Sequence, residues 1–128
     1  MNINKFTQKS LQAVQFCERI AMEYGNQEIE QEHLLYSLLT LEDSLILKLV
    51  EKMEINKQAF LDRVDAALNK RVKVQGGKLY IGEKLNQTLV SAEDEARHMG
   101  DEYVSVEHLF LAMQKHPNAE IKNIMKEY

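Results

Sequence analysis

One phrase occurs twice in this chain. "GNQEIEQEHLL" runs from Gly25 to Leu35, and "GDEYVSVEHLF" runs from Gly100 to Phe110, 75 residues later. Self-similarity at a fixed offset marks two copies of one supersecondary unit, which constrains the fold more than any composition does. Between residues 9–34 and 84–109, eight of 26 positions are identical. They are Lys9/Lys84, Gln12/Gln87, Glu18/Glu93, Ala21/Ala96, Gly25/Gly100 and the triplet Glu32-His33-Leu34 against Glu107-His108-Leu109.

The hydrophobic period repeats along with the letters. Ala13, Val14, Cys17, Ile20, Ala21 and Tyr24 fall on one face of a helix, as do Leu85, Leu89, Ala92, Ala96 and Met99. Gly25 and Gly100 follow the last periodic residue, where a left-handed residue ends a helix at no steric cost. Thr7 stands at the N-cap of the first helix, with Phe6 and Leu11 spaced as a hydrophobic staple, and Gly82 occupies the matching place in the second copy. A short extended link follows each glycine and carries one core residue, Ile29 or Val104. A second helix then opens with Ser105 as a good N-cap and with Glu32 or Glu107 in the dipole-favoured first turn. Leu34, Leu35, Leu38 and Leu39 form its apolar side, matched by Leu109, Phe110 and Met113.

A third helix is read from Leu45, Ile46, Leu49, Val50 and Met53, and from Ile121, Ile124, Met125 and Tyr128. A fourth, about 56–69, turns Phe60, Val64, Ala67 and Leu68 inward. Tyr128 aligns with Met53, so the second copy lacks a fourth helix and is expected to be cut from a longer protein. One proline and five glycines leave helices uninterrupted. The expectation is an all-α single domain of about seven helices in two pseudo-symmetric repeats. Repeat one covers 6–69, a linker 70–80, and repeat two 81–128. The linker cations Lys70, Arg71, Lys73 and Lys78 are read as a solvated loop.

Several function classes find no support. The net charge is −4, with no dominant basic stripe for nucleic acid. No apolar run is long enough to span a membrane, and no signal peptide is visible, so the cytoplasm is the default. A single cysteine, Cys17, lies on an inward face and reads as a small core residue rather than a nucleophile. "QGGKLY" lacks the spacing and hydroxyl of a phosphate-binding loop, and no metalloprotease motif is present. His33, His98, His108 and His116 form no ligand pattern in the sequence. His33 and His108 are read as rings that pack and bond a nearby backbone carbonyl. Met53, Met99, Met113 and Met125 are read as core. Met22, Phe16 and Val90 fall off the main apolar faces and are candidates for a groove that takes extended apolar peptide.

"KFTQKSLQAV", "QEIEQEHLLYSLL" and "GDEYVSVEHLFLAM", which together span the chain, resemble the N-terminal domain of the Clp chaperone ATPases. "DEYVSVEHL" is most similar to the ClpB-type disaggregases. ClpC-type relatives tend to have Gly-Thr before each Glu-His pair, where this chain has Glu30-Gln31 and Ser105-Val106.

The resemblance implies a non-enzymatic domain, without metal or cofactor, on a hexameric AAA+ ring that uses ATP and magnesium elsewhere in the full-length protein. It implies capture of unfolded or aggregated polypeptides in a groove between the copies during the stress response. A DnaK-type chaperone system is a further candidate partner; no nucleic acid or membrane is implied. Family positions for substrate engagement match Thr7, Leu89, Asp101 and Glu107, while two groove positions that are apolar in some relatives are Ser91 and His108. An acidic rim would favour apolar segments flanked by Lys or Arg. The alternative is an adaptor- or phosphoarginine-binding domain of a ClpC-type unfoldase, which would need threonines where Gln31 and Val106 stand.

Overall fold

The computed structural model describes residues 2–128. Seven α-helices and two short strands make up the described residues, with a 3₁₀ turn at Ile3–Lys5. The order is α1 (Gln8–Glu23), β1 (Glu28–Ile29), α2 (Gln31–Thr40), α3 (Leu45–Lys52), α4 (Lys57–Asn69), β2 (Tyr80–Ile81), α5 (Glu83–His98), α6 (Val106–Lys115) and α7 (Ala119–Glu127).

Both repeated glycines end a helix as their position predicts. Gly25 and Gly100 have φ of 70° and 71°. Each lies inside the same pair of closing bonds: Gly25 N–H to Met22 O with Asn26 N–H to Ala21 O, and Gly100 N–H to Arg97 O with Asp101 N–H to Ala96 O. These two bonds satisfy carbonyls that a helix end would otherwise leave orphaned. At the other end of α1, the Thr7 side chain accepts from Ser10 N–H, as an N-cap does.

The halves are interlocked, which explains why two repeats make one domain. The residues leading into each first helix pair with the link of the other copy. Gly82 N–H bonds Ile29 O at 2.8 Å, and Thr7 N–H bonds Val104 O at 2.9 Å. Each third helix also packs on the opposite second helix, α3 on α6 and α7 on α2. The core centres on α2, where eight of ten residues are buried. Leu34, Leu35, Leu38 and Leu39 are each at most 1% exposed, and such burial contributes roughly 1.5–3 kcal/mol per side chain.

Several expectations change. Only Ile46 and Val50 of the α3 set are buried; Leu45, Leu49 and Met53 lie on the surface. On α7 the counterparts are Ile124, which is buried, and Tyr128, which stacks edge-on against Phe60 of α4. The stripe on α3 has no such helix over it among the described residues. Met99 is also exposed, because α5 ends there in its C-cap and the core side is taken up to Ala96. Met113 is buried as expected.

The 70–79 segment is exposed from Val72 to Lys78, as a solvated loop is, but it is also a strap tied to the body. Arg71 reaches both Glu28 and Glu32 at 2.6 Å, Lys70 pairs with Glu120 at 3.0 Å, and Lys73 Nζ donates to Tyr24 O at 2.7 Å. Val74 N–H bonds Gly25 O, so the strap passes beside the end of α1.

Candidate functional site

The pseudo-twofold creates two junctions between the copies, with the same ladder and different finishes. At the first, Phe6 lies opposite Val104 in a parallel bridge. The 3₁₀ turn folds back so that Ile3 O accepts from Phe6 N–H, and Phe6 is only 6% exposed. At the second, Ile81 lies opposite Ile29 in β1–β2. No turn covers it, and Ile81 is 47% exposed.

The expected site residues cluster around the closed junction. Thr7 donates its amide to Val104 O and caps α1. Asp101 Oδ2 accepts from His108 Nε2 at 2.8 Å, and Glu107, at the surface, accepts from Ser105 Oγ at 3.0 Å. The cleft beside Asp101 is small, about 120 Å³, and polar, with Asn2, Lys5, Glu93 and Arg97 on its walls. Leu89 does not join them. It is 1% exposed on the inward face of α5, so it is a core residue rather than a groove wall.

The larger apolar opening lies at the open junction. A cleft of about 300 Å³ separates α1 from β2, walled by Val14, Glu18, Leu79, Tyr80, Ile81 and Leu85. It shares Glu18 and Leu79 with a second cleft of about 400 Å³, where Met22 and Val74 face the strap glycines. Met22, Val74, Tyr80 and Ile81 are all between 41% and 65% exposed. Glu18 is the one charged side chain lining the two clefts among the described residues. Part of the 70–80 linker therefore also walls these clefts, through Val74, Leu79 and Tyr80. The letters carry a signal for it, since Val74 and the run Leu79-Tyr80-Ile81 are apolar where a solvated loop needs none.

Off-face Met22 is exposed as its helix position predicts, and Val90 is 49% exposed on α5, away from the two clefts. Phe16 is half-buried and lines a third cleft of about 510 Å³ with Arg19 and Leu41. Cys17 is buried, and burial pushes its thiol up to about 12, so it offers no thiolate.

The two repeated histidines work as caps, not as donors to a carbonyl. His33 Nδ1 accepts from the Glu30 amide at 2.9 Å, and His108 Nδ1 accepts from the Ser105 amide at 2.8 Å. An accepting Nδ1 puts the proton of the neutral ring on Nε2. That proton is donated to Asn26 Oδ1 in copy one and to Asp101 Oδ2 in copy two. Burial, with Arg71 nearby, pushes the His33 imidazole down to about 4. Asn26 and Asp101 are themselves counterparts, so the copies share one device and differ in its charge.

The second-helix start in copy one is sealed. Glu32 is 2% exposed and is held by Arg71 and by Asn118 Nδ2 at 2.7 Å. Buried Gln31 donates to Thr88 Oγ1 and His116 O and accepts from Asn118 N–H, each at 2.8 Å. Glu30 reaches across the copies to accept from Leu85 N–H at 2.9 Å, capping α5 where Gly82 has no side chain to do so. A Cβ on Gly82 would lie 2.2 Å from Glu30 Oε1, which is why glycine stands there. Burial raises the Glu30 carboxyl above its usual range.

The Clp repeat N-terminal domain model matches residues 5–128. The chain belongs to the Clp repeat N-terminal domain family. Chaperone protein ClpB from Nitratidesulfovibrio vulgaris is 39% identical over 126 residues, covering 94% of this chain and 15% of the relative. ClpB from Porphyromonas gingivalis is 41% identical over 113 residues, covering 88% and 13%. This Clp repeat domain therefore spans about one-seventh of the length of those relatives. Among solved structures, the Hsp104 N-terminal domain from Candida albicans superposes with a TM-score of 0.86 at 21% identity, covering 96% of this chain and 81% of that one. The N-terminal domain of the ClpV1 ATPase from Escherichia coli gives 0.81 at 18% identity, covering 94% and 77%. These two establish the fold alone.

In this Clp repeat domain, the two positions where a ClpC-type resemblance would call for threonine are internal. Gln31 is fully buried and Val106 is 6% exposed. No group of three His, Cys, Asp or Glu side chains converges, and no helix is long and apolar enough to cross a membrane, among the described residues.

Proposed function

We propose that this domain captures exposed apolar segments of unfolded or aggregated polypeptides for a ClpB-type, ATP-dependent disaggregase, and that it does so by binding alone. The observation that carries this reading is the apolar cleft between α1 and β2, open at an inter-copy junction. Exposed apolar side chains in one contiguous group, on a domain whose curated relatives are ClpB chaperones, support a surface for apolar polypeptide. Shallow binding suits a recruiter, which must release what it catches to the hexameric AAA+ ring proposed for the full-length protein. Several domains on one ring would raise avidity through effective concentration. ATP and magnesium, and any cooperation with a DnaK-type system, belong to that larger assembly.

Thr7, Asp101 and Glu107 enter this reading as polar contacts at the other junction. Glu107 is the most informative of them, because it is exposed and holds only Ser105 Oγ. A ClpC-type phosphoarginine site is disfavoured at copy one, where Glu32 is already committed to Arg71 and Asn118.

The test is fluorescence anisotropy with a labelled, permanently unfolded apolar protein. Met22→Ser with Ile81→Ser is expected to weaken binding about tenfold or more, while urea unfolding stays close to the parent because both side chains are exposed. Parent-like affinity in that double variant, with loss in Glu107→Gln, would move the site to the closed junction and overturn the cleft reading.

A further inference from the structure

Resting on the capture reading above, we propose that the captured segment binds as an added β-strand on the open edge of β2. The parallel register fixes which groups point where. Tyr80 N–H donates to Gln27 O at 3.1 Å and Gly82 N–H donates to Ile29 O at 2.8 Å, so Tyr80 and Gly82 turn their backbone toward β1. Ile81 between them turns its N–H and C=O to the opposite side. Neither of those groups bonds another protein group among the described residues. Backbone polar groups of this kind are a template for strand addition, and apolar side chains beside them supply affinity.

The closed junction shows what a covered edge looks like in the same fold. Phe6 is the counterpart of Ile81, and its outward N–H is taken by Ile3 O of the 3₁₀ turn. Its ring is 6% exposed, against 47% for Ile81. One junction has its strand edge closed by the chain itself, and the other leaves the edge free beside the apolar cleft. The charge around the cleft narrows the occupant. Glu18 is the only acidic or basic side chain lining it among the described residues, so the segment is apolar, tolerates a flanking Lys or Arg, and avoids Asp and Glu. Main-chain recognition also gives a physical reason for tolerance of sequence, because every polypeptide carries the same N–H and C=O groups.

The test uses the whole 128-residue chain and a synthetic peptide of alternating Val and Phe flanked by Lys. Two further versions carry N-methyl groups on alternate residues, one set in each register. The unmethylated peptide is expected to bind, and one methylated register is expected to lose at least tenfold in affinity while the other keeps most of it. Amide hydrogen exchange at Ile81 is expected to slow at least tenfold on binding, with Phe6 unchanged. Ile81→Pro, which removes the outward N–H without breaking a ladder bond to β1, is expected to erase the difference between the registers, whereas Ile81→Ala, which shortens the side chain and keeps the N–H, is expected to retain it. Binding of both methylated peptides at parent affinity, with Ile81 still exchanging freely, would overturn strand addition and indicate a helical or side-chain mode while leaving capture intact. No binding of the unmethylated peptide would overturn capture and strand addition together.

Discussion

The two copies share a skeleton and differ in how its ends are finished. Both stop their first helix at a left-handed glycine, both pair that helix's lead-in with the other copy's link, and both cap the second helix with a histidine. In copy one the start of α2 is sealed by Gln31 and by the Glu32–Arg71 pair. In copy two the start of α6 stays at the surface, with Asp101 and Glu107 exposed. The strand edges show the reverse pattern, since the Phe6 edge is closed and the Ile81 edge is open. Duplication thus gave the domain two versions of each feature, one closed into the body and the other left at the surface.

The largest contrast is expected at the paired positions Gln31 and Val106. Gln31→Ala removes partners for the Thr88 hydroxyl, the His116 carbonyl and the Asn118 amide at once, and is expected to cost about 4 kcal/mol in urea unfolding. Val106→Ala removes only apolar contact and is expected to cost about 2 kcal/mol. Equal losses would show that the amide network does not hold the halves together.

The histidines differ in what acid does to them. His33 has a folded-state value of about 4, depressed mainly by burial. The unfolded chain takes up this proton near pH 6.5, so stability is fully present above that pH and is lost as pH falls toward 4, by about 3 kcal/mol in all. The raised Glu30 carboxyl acts in the opposite sense, because the native state then holds its proton longer. It is common to both proteins in the comparison with His33→Gln, whose amide can still accept the Glu30 N–H. His33→Gln is expected to flatten the decline between pH 6.5 and 4; an unchanged slope would remove His33 as its source.

Gly82 and its counterpart Thr7 separate next. Gly82→Ala drives a methyl into Glu30 and is expected to cost about 2 kcal/mol. In a Glu30→Ala background the same change is expected to cost much less, a coupling that a double-mutant cycle reads directly. Additive losses would mean that the glycine serves something other than the approach of Glu30. The smallest effect is expected from Asp101→Asn, which gives copy two the Asn–His pair of copy one. Because Asp101 is half exposed, the change in urea stability should stay below about 1 kcal/mol.

The skeleton was legible because helices advertise themselves by period and by their ends. Gly25, Gly100, Thr7 and the Phe60–Leu68 face all read correctly. What stayed hidden depends on neighbours brought from far along the chain. Arg71 looks like a solvated cation until Glu28 and Glu32 meet it, and His33 gives no sign in the letters that Asn26 will hold its ring. Leu49 and Ile124 have the same helical phase, yet Leu49 is exposed and Ile124 is buried, a difference that depends on neighbours and not on period. Resemblance implies a site of Thr7, Leu89, Asp101 and Glu107 in a groove between the copies, and the structure gathers all but Leu89 around the closed junction. The apolar cleft lies at the other, walled by Val74, Leu79, Tyr80 and Ile81, whose meeting with α1 the letters do not show.

On the proposed reading, apolar polypeptide enters at the open junction. NMR titration of the isotope-labelled domain with an unfolded apolar protein tests it most directly. Saturable shifts are expected, concentrated at Met22, Leu79, Tyr80 and Ile81. Shifts confined to Thr7, Asp101 and Glu107 around the closed junction would contradict it.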